Sequence, residues 1–230
     1  MKTIGLIGGM SWESSQEYYR IINEEIKRKL GGFHSAKCIL YSVDFAEVEK
    51  LQHEERWEEL TGLMIGAARS LENAGAEFII ICTNTMHKMA DEVQNSIKIP
   101  LLNLVDATAD QIRQGGLKNI GLLGTKFTME QSFYKGRLSN RFGGEVIIPN
   151  EEEREIIHQV IYNELCLGNI NQTSKARFIN IINSLIDRGA EGIILGCTEI
   201  PLLVNQSDIR VPIYDTTQIH AKAAVRYALG

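Results

Sequence analysis

The chain has 230 residues, 44% of them hydrophobic, and a formal net charge of −5. That length allows one large domain or two small ones with filled cores, and the acidic balance leaves no electrostatic footprint for nucleic acid. No apolar run reaches the roughly eighteen residues of a membrane span, no signal-peptide pattern opens the chain, and the four cysteines lack Cys-x-x-Cys spacing, which predicts a cytoplasmic protein with reduced thiols and no metal site.

Residues 2–8 form a short apolar run ending in glycines, the pattern of a buried strand. Ser11 can cap a helix running to Leu30, with Glu13 in its first turn and Gly31-Gly32 as its stop. Residues 36–43 read as a second strand closing on Asp44. The polar segment 45–56 reads as a loop with a short helical piece, long enough to act as a flap. Residues 57–73 have helical periodicity, with Gly75 in the C-cap position. Strand 78–82, helix 86–96 and a short strand 99–102 follow. The second half repeats this plan: helix 106–114, strand 119–123, helix 129–140, strand 145–148, helices 151–167 and 174–188, strand 192–195, strand 211–214 and helix 217–229. Strands alternating with helices predict an α/β fold of parallel sheets flanked by helices.

The halves are related in sequence. Gly75-Ala76-Glu77 matches Gly189-Ala190-Glu191; without gaps, Ile79-Ile80 falls on Ile193-Ile194, Cys82 on Gly196 and Thr83 on Cys197. Ile4-Gly5-Leu6-Ile7-Gly8-Gly9 likewise resembles Ile120-Gly121-Leu122-Leu123-Gly124-Thr125. Two related pairs in the same order imply two pseudo-symmetric domains, expected over 1–103 plus 208–230 and over 104–207. In open parallel sheets ligands bind beyond the carboxyl ends of strands. The residues there are Gly8-Gly9-Met10-Ser11, Asp44, Thr83-Asn84-Thr85, Thr125-Lys126 and Cys197-Thr198-Glu199, a set suited to a small anion at helix N-termini. Thr83 and Cys197 are expected to flank one substrate. Gly5-x-x-Gly8-Gly9 does not match the dinucleotide fingerprint, and no Ser-His-Asp set or phosphate loop is present.

Cys82-Thr83-Asn84-Thr85-Met86-His87, Gly196-Cys197-Thr198-Glu199 and the opening Ile4-Gly5-Leu6-Ile7-Gly8-Gly9-Met10 resemble the cofactor-independent aspartate/glutamate racemase family over essentially the whole chain. The resemblance implies no cofactor, a homodimer, and a site at the interface of two α/β domains with one catalytic group on each face of the substrate α-carbon. Most members carry cysteine in both turns; here the first holds Thr83, as in the branch associated with L-aspartate and L-glutamate or with broader amino-acid racemisation. An arginine common in the flap is matched by Gln52, and a lysine near the end of the long helix by Cys166; both losses weaken binding of a side-chain carboxylate. Met10, Gln52, Asn84, Thr85, Thr198 and Glu199 are the expected substrate contacts, Glu199 as acceptor for the ammonium group. His87 and Cys82 receive no assigned role. A small-diacid isomerase or decarboxylase of the same superfold is the alternative reading, and a non-catalytic amino-acid-binding protein a further one.

Removing an α-proton requires a base on one face, and inversion an acid on the other. A thiol near a helix N-terminus can ionise at neutral pH, whereas a hydroxyl with a water-like pKa lies about 7 units higher, or about 10 kcal/mol. Cys197 is therefore the expected base and Thr83 the opposite-face acid.

Overall fold

Five consecutive buried residues, Ile4–Gly8, form the first strand (β1), because their side chains must satisfy apolar layers on both sides of a parallel sheet. The computed structural model describes residues 1–230 and divides into two units, Met1–Leu104 with His220–Gly230, and Val105–Ile219.

The first unit continues with helix α1 (Trp12–Leu30), strand β2 (Cys38–Ser42), helices α2 (Phe45–His53) and α3 (Trp57–Asn73), strand β3 (Phe78–Ile81), a 3-10 turn Thr85–Met89 and helix α4 (Ala90–Asn95). Its parallel sheet has the order β2-β1-β3. The two-residue period divides the sheet's side chains cleanly. Ile7, Ile79 and Ile81 join a core with Met10, Val48, Leu60, Met64 and Met86. Ile4, Leu6, Phe78, Ile80 and Cys82 join the opposite core with Tyr18, Ile22 and Ile26 of α1. Ser11 caps α1, accepting from the Ser14 N–H.

The second unit contains α5 (Leu104–Gln114), β4 (Asn119–Gly124), α6 (Lys126–Glu130), α7 (Lys135–Phe142), β5 (Glu145–Ile147), α8 (Glu151–Asn163), α9 (Gln172–Asp187), β6 (Ile193–Gly196), α10 (Ile200–Leu203) and β7 (Ile213–Asp215). Its parallel sheet has the order β5-β4-β6-β7. Helix α11 (Thr216–Leu229) ends the chain, and its Ala221, Ala224, Val225 and Ala228 pack in the α1-side core of the first unit.

The internal repeat extends to individual hydrogen bonds. Gly5 pairs with Ile79 in one sheet and Gly121 with Ile193 in the other, the register implied by the gapless match. Glu77 accepts the Thr3 N–H at 2.6 Å, and Glu191 accepts the equivalent Asn119 N–H at 2.9 Å. The Ile79 N–H donates to the Pro100 carbonyl at 2.8 Å and the Ile193 N–H to the Pro212 carbonyl at 2.9 Å. Gln94 accepts the Leu101 N–H at 2.7 Å, and Gln206 accepts the Ile213 N–H at 2.9 Å.

Several expectations are corrected. The short helical piece expected in 45–56 takes up most of that segment: Asp44 caps α2, which buries Val48 and Gln52. The helix expected over 129–140 is two helices, with the fully buried Tyr134 at the junction. Strand 99–102 reduces to one bridge, Ile79 to Leu101. Residues 208–219, expected in the first domain, group with the second unit, because β7 pairs with β6.

Candidate active site

Both turns grow from the carboxyl end of a buried strand. In the first, Gly9 follows β1 at φ 91°, and a Cβ there would sit 2.2 Å from the Val43 carbonyl oxygen; only glycine fits. The Gly9 N–H donates to Ser15 Oγ at 2.8 Å, and Ser14 Oγ donates to the Cys82 carbonyl at 2.8 Å. The first turn of α1 therefore ties the end of β1 to the end of β3. Thr83, half-buried, follows directly, with Asn84 and Thr85 buried behind it.

His87 fixes that turn. Its Nε2 accepts the Leu104 N–H at 3.1 Å, so its Nδ1 carries the proton and donates to the Thr83 carbonyl at 2.8 Å. Both ring nitrogens are committed to backbone. Gln52, expected on a mobile flap, is buried on α2, and its amide donates to Met86 Sδ at 3.2 Å. Met10 shares that core with Met86 and Val48. Cys82 lies in the opposite core, and burial pushes its thiol far up.

In the second unit, Gly124 and Gly196 let β4 and β6 approach closely, since a Cβ on Gly196 would lie 2.7 Å from the Leu123 carbonyl oxygen. Cys197 follows, 9% exposed. Its Sγ donates to Glu199 Oε2 at 2.9 Å, and Thr198 Oγ1 donates to the same oxygen at 2.7 Å. Glu199 is itself buried. Burial, then the Glu199 charge and the nearby Cys166 thiol, push the Cys197 thiol well above its ordinary value. The expectation of a lowered thiol pKa is thus overturned: the following helix, α10, has only four residues, and a carboxylate stands against the sulfur.

Residues 7–224 match the Asp/Glu/Hydantoin racemase family. The chain belongs to this family. It is an amino-acid racemase of that kind, similar over its full length to a crystal structure of a candidate Asp/Glu racemase from Yersinia pestis, at 56% identity, TM-score 0.94 and complete coverage of both chains. An aspartate racemase homologue from Pyrococcus horikoshii is 38% identical, with TM-score 0.85 and complete coverage of both. The broad specificity amino-acid racemase RacX of Bacillus subtilis is 24% identical over 227 residues, 96% of each chain. No helix of the racemase is long and apolar enough to cross a membrane.

Two sets of residues escaped the sequence reading. Ser14 and Ser15 read as ordinary first-turn helix residues, and only the fold brings their hydroxyls to Cys82 and Gly9. The Cys197–Glu199 contact was visible as a two-residue spacing, but nothing in the spacing distinguishes a thiol partner from an ammonium acceptor.

Proposed function

We propose that this racemase inverts the α-carbon of L-aspartate or L-glutamate, or of a broader set of amino acids, by two-base proton transfer without a cofactor. Cys197 removes the α-proton as the base, and Thr83 supplies a proton to the opposite face, directly or from water. The observation that carries this reading is the equivalent placement of Thr83 and Cys197, each just beyond the carboxyl end of a repeat-related strand of its own sheet, β3 and β6. Met10 after β1, Gln52 on α2, and Asn84, Thr85 and Thr198 in the two turns are the proposed substrate contacts. A neutral amide at Gln52 and a thiol at Cys166 offer no cation to a side-chain carboxylate, which favours tolerance of neutral side chains.

Incubating a panel of L-amino acids in D₂O tests the reaction, since racemisation washes deuterium into the α-position. Uptake with L-aspartate or L-glutamate, lost in Cys197→Ala, is the expected result; full uptake in that variant removes Cys197 as the base. Assembly as a cytoplasmic homodimer belongs to the same proposal. The edge strand β2 exposes Leu40 and Tyr41, surface that a second copy would cover, and a monomer by sedimentation would refute it.

A further inference from the structure

The sulfur proposed as the base carries its proton at rest, and that proton is already aimed at an acceptor. Cys197 Sγ lies 2.9 Å from Glu199 Oε2, in a position shielded from water. Thr198 Oγ1 holds the same carboxylate oxygen at 2.7 Å, which fixes the carboxylate against the sulfur. Thr198, between the two in sequence, thus orients the acceptor.

We propose that Glu199 is the internal proton acceptor that converts Cys197 into a base, rather than the acceptor for the substrate ammonium group. The inference rests on Cys197 acting as the base. In the first step the Cys197 S–H bond breaks and an O–H bond forms on Glu199, leaving a thiolate beside a neutral carboxylic acid. The thiolate then takes the substrate α-proton; the C–H bond breaks, an S–H bond forms, and its electron pair stays on the α-carbon. A proton delivered to the opposite face completes inversion. After product leaves, Glu199 gives its proton to solvent, the opposite-face donor regains one from solvent, and the starting protonation state returns.

The isosteric Glu199→Gln variant separates this role from its rivals, because the amide can still accept the S–H hydrogen bond but cannot take the proton. Removing the carboxylate charge also makes the thiol easier to ionise. A carboxylate that merely raised the thiol pKa would, once replaced, leave turnover equal or faster. We expect the opposite: kcat for α-deuterium exchange falls about a hundredfold or more, and KM stays within about threefold. Unchanged or increased kcat overturns the proposal, as does a raised KM at constant kcat, which would mark Glu199 as an ammonium contact. Should Glu199→Gln not fold, Glu199→Ala assayed with added formate replaces it; formate restores turnover if a carboxylate base is what the site lacks, and absence of rescue in a folded protein counts against it. Cys197→Ala, run in parallel, reports on the base assignment alone: full exchange there defeats the two-base reading, whereas a dead Cys197→Ala with an active Glu199→Gln defeats only the role of Glu199.

Discussion

A hydroxyl at Thr83 and a thiol at Cys197 are unequal partners, because ionising the hydroxyl costs about 10 kcal/mol more in the free groups. Enantiomers have equal free energies, so kcat/KM must be the same in both directions, and the inequality can surface only in kcat and KM separately. Thr83→Cys therefore raises the D-to-L kcat by about tenfold or more while the two kcat/KM values stay equal, as followed by polarimetry from each pure enantiomer. No gain in a folded variant removes Thr83 from the pair. Cys82 serves as the contrast. It faces the α1-side core, and burial holds its thiol protonated, so Cys82→Ala leaves turnover unchanged at a stability cost of about 1 kcal/mol in urea unfolding. Loss of turnover in that variant would show that the thiol one residue before Thr83 has a part in the chemistry.

The elements place these residues through close backbone approach and local caps. Gly196→Ala forces a Cβ to within 2.7 Å of the Leu123 carbonyl oxygen, which costs about 1–3 kcal/mol and moves Cys197 with it; stability and turnover fall together. Asn150→Ala instead removes a capping box on α8, costing about 1 kcal/mol with turnover unchanged. A drop in turnover there would tie α8 to the site. The central strands and their glycines were legible in the sequence because a two-residue period and a gapless repeat constrain register tightly. Helix α2 was legible only as a short helical piece, since Glu47, Glu49, Lys50 and His53 make its segment read as solvated, while the burial of Val48 and Gln52 depends on tertiary contacts. Residues 99–102 have strand composition, yet Gln94 takes the Leu101 N–H, and the ladder stops after one bridge. The site was legible as residue types at strand ends; the direction of the Cys197 proton was not, because it depends on which oxygen the buried sulfur meets.

On the scale of the molecule, the chain's last helix returns to the unit in which the chain began, and it carries a buried titratable group. His220 Nε2 is 2.9 Å from the Leu102 carbonyl, which can only accept, so this nitrogen bears the proton and Nδ1 accepts from the Tyr18 hydroxyl at 2.9 Å. Burial, reinforced by the neighbouring His87 ring, lowers His220 from its ordinary 6.5 to about 3. Below pH 6.5 the unfolded chain binds a proton here that the folded chain refuses. Stability present above pH 6.5 is therefore lost as the pH falls towards 3, by about 1.4 kcal/mol per unit from this residue. Paired carboxylates add to any acid limb, so the contribution of His220 is read as a difference between two proteins. His220→Gln is less stable than the wild type at pH 7, having traded a fitted ring for an amide, but its urea midpoint declines less steeply between pH 6.5 and 4. Parallel declines would mean that the ring takes up its proton without disturbing the packing of α11, and the coupling of the terminal helix to acid stability would have to be sought in other groups.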